Sequence, residues 1–426
     1  MTTPSSSRHG SGPHPVQRRI DLALSDRALV LLLAPLTALG AMAQNMFVPV
    51  LPLMRAELGL SVAEANTTGS FALASFAFGL LFGGTLSDRL GRRPVMLAGN
   101  CVFLLGSLGC ALAPSLGWLV AARVVQSLGS SVCMVTARAI IGDVYPRESM
   151  ARMLAFLTMV MVIAPTLSPI AGGFIGDHGG WRGVFWTLAC VGLPALLLTA
   201  WRLPETRSAA DRAAFASRGG EGPGALWHQT RHILGDLAFL NGILQAAVIY
   251  ATFLVFVWNA PYVLQAQQLP LSTYGVWNLL IAVAYFAGNW LVTRAHGRHS
   301  MTAFIRTGVA LQLSGALLGC ALAEAGLAGP VLTPLCLFLP MAILAYGQGQ
   351  ALPNVTATTV ALHPAASGTA SSLLGFGQQF AAALAVQWMG LFPSTTARPT
   401  MRFILGAAAF SAVLLWMDHR RQTRDS

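Results

Sequence analysis

Apolar residues occur along this chain in long blocks, separated by short segments that carry almost all of the charges. A block of about 20 apolar residues is long enough to cross the hydrocarbon core of a bilayer as an α-helix. Because twelve blocks approach or reach this length, we predict twelve membrane-spanning helices. Their predicted ranges are 28–49, 67–86, 95–113, 116–140, 151–175, 183–202, 237–260, 274–293, 303–323, 330–351, 367–390 and 401–417.

The blocks fall into two sets of six, separated by the longest polar stretch between blocks. The predicted fold is therefore all-α and polytopic, with twelve transmembrane helices in two six-helix pseudo-repeats. The first residues are rich in Ser, Gly, Pro, His and Arg, which is typical of a disordered tail. The predicted divisions are a tail at 1–26, an N-terminal bundle at 27–202, a linker at 203–236, a C-terminal bundle at 237–417 and a tail at 418–426.

The composition of the chain also indicates a membrane environment. Of its 426 residues, 55% are hydrophobic and only 10% are charged, whereas a soluble domain carries about 25% charged residues. Two or three soluble domains would fit the length, but no charged stretch is long enough to form one. A cleaved signal peptide over 18–43 is the alternative for the first block. Asp21 and Asp26 in its leader, and apolar residues beyond the cleavage position, argue against it.

The 26 basic residues are all arginines, and they give a net charge of +11. They lie between the apolar blocks and not on one face, so we expect no nucleic-acid partner. If the N-terminus is cytoplasmic, Arg residues in cytoplasmic segments outnumber those in outer segments by about five to one. This bias predicts that both termini and the linker are cytoplasmic.

Residues that would support enzymatic or metal chemistry do not form a recognisable motif. The six cysteines all lie inside apolar blocks without a CxxC pair, so we expect small hydrophobic side chains with no disulfide and no metal. The chain has no phosphate-binding GxxxxGK[ST] loop, no HExxH and no GxSxG. We therefore expect no cofactor and no enzyme, since an intramembrane enzyme would need a nucleophile or metal ligands at depth.

The loop after the second predicted span has the form G-x3-D-R-x-G-R-R. Its motif residues are Gly84, Asp88, Arg89, Gly91, Arg92 and Arg93. The glycines permit a tight turn, and Asp88 could face the N-terminus of a neighbouring helix. The arginines could pair with acids at the inner face, and Asp143 at the inner end of the fourth span is the candidate partner. A generic positively charged loop is the alternative interpretation.

The fourth and fifth spans carry further polar or bending residues. Arg123 lies about 10 Å inside the fourth span, followed by Gln126. A charge at this depth is normally paired or functional, although a long Arg side chain could instead reach the outer interface. Arg138 is close enough to the inner end to reach water there. The fifth span can be either a kinked packing helix or a gating hinge, and its candidate hinge residues are Pro165, Pro169, Gly172 and Gly173.

The loop motif resembles the signature of the major facilitator superfamily. The fourth-span sequence from Arg123 to Ser127 is similar to that family's R-x-x-Q-G motif, with Ser in place of Gly, and the fifth span resembles its antiporter motif. Finer similarity to the bicyclomycin/chloramphenicol-resistance (Bcr/CflA) branch of drug:proton antiporters lies at 45–52, 259–264, 352–354 and 367–372. The resemblance implies a monomeric, multi-pass protein of a bacterial inner membrane that exports amphiphilic small molecules.

The resemblance also implies that spans 1, 4, 7 and 10 line a substrate cavity. The candidate cavity or coupling residues on them are Gln44, Asn45, Phe47, Arg123, Gln126, Gln245, Tyr250, Phe253, Trp258, Tyr346, Gln350 and Asn354. The branch usually has an Asp where this chain has Asn45, and no acid or His lies mid-span, so the identity of a proton carrier stays open. A dedicated metabolite exporter and a transporter-derived receptor are the alternative functions.

The sequence further predicts the charge preference of the cavity. A lipophilic cation would need a buried negative partner, and no mid-span acid is present. With Arg123 at depth, we expect neutral or anionic amphiphiles to be preferred over cationic dyes.

Overall fold

The computed structural model describes residues 26–145, 147–207, 212, 230–295, 297–326, 329–392 and 395–425. The predicted N-terminal tail, apart from Asp26, and most of the predicted linker lie outside these residues. Within the described part, the chain is helical almost throughout. The first six helices are α1 Asp26–Asn45, α2 Val62–Leu90, α3 Arg92–Ala111, α4 Leu116–Val144, and α5 and α6 at 147–179 and 181–202 within the unit Arg147–Arg202. The other six are α7 Leu237–Ala266, α8 Leu271–Ala295, α9 Met301–Ala325, α10 Leu332–Ala361, α11 Ser367–Met389 and α12 Arg398–Asp425.

Capping side chains mark where α2 and α7 begin, and a glycine separates α5 from α6. Ser61 and Glu64 form a capping box at the start of α2, which satisfies two backbone amides that would otherwise lack partners. The Asp236 carboxylate accepts from the first amides of α7. Gly180 has φ +65°, a conformation that ends α5 and lets α6 begin without an intervening loop.

The described residues contain as many long helices as the sequence predicted spans, but their limits differ. Among the described residues, ten stretches are long and apolar enough to cross a membrane, and one of them, Ile163–Arg202, contains the second half of α5 and the complete α6. The remaining helix, α11, is less apolar because several of its polar residues face an internal cavity. The first span is also interrupted: after Asn45 the chain continues through a 3-10 turn, Val48–Val50, and a short helix, Leu51–Glu57.

The same packing pattern recurs in the two halves, α1–α6 and α7–α12. The α3–α4, α2–α4, α1–α4 and α3–α6 contacts correspond to α9–α10, α8–α10, α7–α10 and α9–α12. The described part of the chain is therefore a bundle of twelve long helices built from two six-helix pseudo-repeats. Between the halves, α2 packs against α11 and α5 packs against α8.

The two ends of the bundle are different. We call the end that holds the α2–α3 loop, the end of α4 and the start of α7 the Arg-rich end, and we call the other the opposite end. Contacts between the halves are close at the opposite end, where the ring of Trp258 lies against Gly69 and the Asn66 amide donates to the Val386 carbonyl over 3.3 Å. These contacts close the bundle at that end.

Candidate functional site

A cavity of about 540 Å³ lies between the two halves, from the middle of the bundle toward the Arg-rich end. Its walls come from α1, α2, α4 and α5 of the first half and from α7, α8, α10 and α11 of the second. The family resemblance implied α1, α4, α7 and α10 as walls, and the structure adds the other four. The volume lies within the 300–1,000 Å³ range that is typical of small-molecule sites.

The cavity combines aromatic walls with many neutral polar groups. The aromatic side chains are Phe76, Tyr250, Phe253, Trp258, Tyr285 and Phe286, and the amides are Gln44, Asn45, Asn278, Gln348, Gln378 and Gln379. The buried side-chain oxygen of Asn278 has no partner among the described residues. Such walls suit an amphiphilic ligand, with apolar area to bury and amides to orient its polar groups.

One charged side chain belongs to the described cavity lining, and it is Arg138 on α4. The sequence placed Arg138 near enough to the inner end to reach water there. The structure places its exposed side chain in the lining of this cavity, which extends toward the Arg-rich end. No carboxylate occurs among the described lining residues.

Five of the predicted cavity residues line the cavity: Gln44, Asn45, Tyr250, Phe253 and Trp258. The Asn45 amide nitrogen donates to the Ala41 carbonyl over 2.8 Å, which leaves its side-chain oxygen for the cavity. The other predicted cavity residues are buried or partly buried between helices and do not belong to the lining.

Arg123 lies within the first half, fully buried between α1, α4 and α6. One of its guanidinium nitrogens donates to the Ala43 carbonyl over 3.0 Å and to Gln126 over 2.8 Å. Its guanidinium carbon is 5.0 Å from the Phe47 ring centroid and 5.8 Å from that of Phe185. The side chain therefore does not reach the outer interface. It joins α4 to the end of α1 through the Ala43 carbonyl and the Phe47 ring, and to α6 through the Phe185 ring.

Three of the remaining predicted cavity residues, Gln126, Gln245 and Gln350, join helices of the same half. Gln126 donates to Ser107 over 2.8 Å, and Gln245 donates to Ser411 over 2.7 Å. Gln350 accepts from Thr307 and, through its backbone carbonyl, from the Asn354 amide. Tyr346 is half-buried, with its backbone carbonyl against Gly288 of α8. α7 and α10 each pack against several other helices, so only part of each helix surface faces the cavity. The side chains named here lie on the surfaces that contact neighbouring helices.

The loop motif forms an ion-pair network at the Arg-rich end. The Arg92 side chain, only 4% exposed, lies 2.7 Å from Asp143, 2.8 Å from Asp88 and 2.6 Å from the Ser87 hydroxyl. The pairing that the sequence predicted between Asp143 and the loop arginines is thus found at Arg92. Asp88 faces cations and not a helix N-terminus, because Arg207 approaches it to 2.5 Å.

Glu205 and Arg207, just beyond α6, also belong to this network, and no sequence motif predicted their roles. The Glu205 carboxylate accepts from the backbone amides of Arg92, Arg93 and Arg207. Gly91 has φ +103°, and a Cβ there would lie 2.5 Å from a Glu205 oxygen. The motif therefore fastens the α2–α3 loop to α4 and to the segment after α6. Gly84 packs near Val135 of α4, and Arg89 lies in the last turn of α2.

The fifth-span motif lies where the halves meet. Pro165 lines the cavity. Gly172 packs on the Met46 carbonyl, Gly173 packs on the backbone at the start of α8, and the Pro169 carbonyl approaches Gly275. Small residues let α5 and α8 approach closely.

The opposite end also carries a cross-half polar contact that the sequence did not reveal. The Asp177 carboxylate, at the end of α5, accepts from the Leu271 and Ser272 backbone amides over 3.2 Å each. These are the first amides of α8, which lack helical partners, and a carboxylate is favourable at a helix N-terminus. Asp177 therefore links the two halves.

The described residues contain no group of three His, Cys, Asp or Glu side chains that could hold a metal ion. All six cysteines are free thiols.

Curated relatives share sequence with part of this chain. Multidrug resistance protein MdtL of Shigella dysenteriae serotype 1 is 32% identical over 220 residues, which are 52% of this chain and 54% of the relative. The same protein from Escherichia fergusonii matches with the same identity and coverage. The chain thus spans about half the length of the curated relatives it matches.

Solved transporters share the fold at low sequence identity. A bacterial homolog of the human lysosomal transporter Spinster superposes with TM-score 0.69 at 16% identity, over 92% of this chain and 96% of the other. A peptide transporter POT in complex with sulfate superposes with TM-score 0.70 at 15% identity, over 93% and 94%. The sequence profile of the Major Facilitator Superfamily matches residues 33–386. This match covers most of the chain, and together with the duplicated six-helix architecture it establishes that the chain belongs to the Major Facilitator Superfamily.

Proposed function

We propose that this chain is a secondary active transporter that exports small amphiphilic molecules by alternating access. The observation that carries the proposal is the cavity between the pseudo-repeats, closed at the opposite end by cross-half contacts. Its aromatic and amide lining fits amphiphiles of varied shape. The multidrug resistance relatives support export over import. One chain supplies every described wall of the cavity, which fits a monomer.

The orientation in the membrane is part of the proposal. The excess of Arg in the α2–α3 loop, the linker and the tails favours a cytoplasmic Arg-rich end. The cavity then faces the cytoplasm, and the bundles 27–202 and 237–417 move against each other to expose it on the other side. Fusion of a periplasmic phosphatase after Gly220 should give no activity, and an active fusion would reverse the orientation.

Coupling to protons is expected from the family resemblance, but the described cavity lining supplies no carboxylate for it. Asn45 cannot carry a proton at physiological pH. A proton carrier would therefore lie outside this lining. Substrate-dependent proton flux in proteoliposomes tests the coupling separately from transport itself.

The experiment for the proposed function is export of chemically varied amphiphiles from cells or proteoliposomes that contain the purified chain. Flux of several unrelated compounds supports a broad exporter. Flux of one chemical class alone would favour a dedicated metabolite exporter.

A further inference from the structure

Two amide oxygens of the cavity lining receive no hydrogen bond from the described part of the protein. Asn278 on α8 is only 6% exposed, and its side-chain oxygen has no partner among the described residues. The buried side-chain oxygen of Gln379 on α11 also has none there. A buried acceptor without a donor costs free energy, and nearly all buried polar groups in proteins are paired. Both residues line the cavity, so a molecule bound there can supply the donors.

Two further amides of the lining have their nitrogen bonded to the backbone. Asn45 donates to the Ala41 carbonyl over 2.8 Å, and Gln348 donates to the Ile249 carbonyl over 3.3 Å. These bonds fix which way each amide points, because its oxygen cannot donate to a carbonyl. The side-chain oxygens of Asn45 and Gln348 are therefore left as acceptors for the cavity that both residues line.

Asn278 lies on the face of α8 that forms the cavity wall. Ile281, Ala282, Tyr285 and Phe286 follow it in the lining at a spacing of three and four residues, which places all five on one face of the helix. The last torsion of an Asn side chain is broad, so the amide can turn toward a ligand while the rest of the side chain keeps its position. The polar group of a bound molecule can thus reach Asn278.

We propose that the cavity selects uncharged amphiphiles whose polar group carries N–H or O–H donors, such as a primary carboxamide, a urea or a pair of hydroxyls, and that Asn278 determines this specificity. The inference rests on the proposed function, in which the cavity is the substrate site. The donors pair with the amide oxygens, and the aromatic rings of Phe76, Phe253 and Trp258 cover the apolar body.

Two other kinds of ligand are disfavoured by the same lining. An analogue without donors leaves the amide oxygens unpaired, and a site built to hydrogen-bond a ligand discriminates strongly against such analogues. A cation would meet no carboxylate among the described lining residues to offset the cost of its desolvation.

The test measures equilibrium binding to the purified full chain in detergent, which does not depend on transport. The matched probes are 2-naphthamide and 2-acetylnaphthalene, which share the ring system, the carbonyl and the shape, and differ only in an NH2 against a CH3 group. The amide is the more strongly hydrated of the two, so a purely apolar site would favour the ketone. The cation of 2-(aminomethyl)naphthalene is the third probe.

Three variants assign the specificity. Asn278→Leu removes the amide at similar volume, whereas Asn278→Asp keeps acceptor oxygens at the same place. Asn100→Leu is the matched control. Asn100 is also a buried amide whose oxygen has no partner among the described residues, but it lies on α3, which contributes no residue to the described lining.

In the wild type, the amide should bind about fivefold or more tightly than the ketone and the cation. Asn278→Leu should reduce the preference for amide over ketone by roughly three- to tenfold, the loss expected for one hydrogen bond. Asn278→Asp and Asn100→Leu should keep the preference. A ketone or cation that binds the wild type as tightly as the amide, or no binding by any probe, would overturn the inference. So would a preference that survives Asn278→Leu, or one that is lost in Asn278→Asp or Asn100→Leu.

Binding and transport failures are distinguishable. Donor-dependent binding that requires Asn278, without any flux in proteoliposomes, would leave the specificity intact and remove the proposed function. Flux of amphiphiles with no preference for donor groups would do the reverse.

Discussion

Closure of the opposite end depends on the close approach of α5 to α8, and Gly173 is the residue at which this can be tested. A Cβ added to Gly173 would lie 2.8 Å from the Leu271 carbonyl oxygen and 2.9 Å from the Ser272 Cα. Ordinary contacts are 3.4–4 Å. Both neighbours are backbone atoms, so no side-chain rotation relieves the overlap. In Gly173→Ala the two helices must separate by about 0.5 Å or more.

The energetic cost follows from this overlap. Overpacking of one methyl group costs about 1–3 kcal/mol, and the cost applies only while the opposite end is closed. The equilibrium should therefore shift toward the state that is open at that end by roughly 5- to 150-fold. Gly406→Ala is the matched control, because a methyl group on this α12 glycine meets no atom within 4 Å.

The assay is a distance measurement between spin labels at Ala56 and Gln267, which are exposed at the opposite end of the two halves. The background is a variant whose six cysteines are replaced. Gly173→Ala should add a longer-distance population that Gly406→Ala does not show. An unchanged distance distribution in folded Gly173→Ala protein would refute the reasoning.

Three further changes have definite expected outcomes. Asp177→Asn removes the charge at the start of α8, worth about 0.3–1 kcal/mol, so the same spin-label assay should show a shift smaller than that of Gly173→Ala; no shift would contradict the link. Asp88→Asn leaves Arg92 and Arg207 without one carboxylate, so we expect normal abundance but poor transport, and wild-type flux would count against a conformational role. Arg123→Gln should lower stability by about 1–3 kcal/mol in thermal unfolding, because the buried Ala43 carbonyl loses its partner; an unchanged unfolding temperature would contradict this packing role.

The sequence predicts the fold well because the physics of spanning helices is local. Long apolar blocks and their arginine flanks mark the spans, and the loop motif marks the α2–α3 turn. The pairing of Asp143 with Arg92 could be anticipated because both flank the same end of the bundle. Glu205 could not, since its role depends on where the chain after α6 returns.

The candidate cavity was harder to predict, because the face that a residue presents depends on the packing of twelve helices. A residue such as Gln245 differs little from Tyr250 in sequence context, yet Gln245 bonds to Ser411 of α12 and Tyr250 lines the cavity. Arg123 was a candidate cavity residue because of its depth in the span, but in the structure it is buried between helices of the first half. Arg138 was predicted to lie within reach of the inner end, and its place in the cavity lining could not be predicted from that.

The most direct test of the account is substrate counterflow in proteoliposomes loaded with an unlabelled amphiphile. Counterflow requires alternating access of one cavity to both sides, and it does not depend on the identity of a coupling ion. We predict transient uptake of the labelled compound that is abolished by a second, excess amphiphile outside. Absence of exchange for every compound in a varied panel, with folded and correctly inserted protein, would contradict transport and favour a receptor.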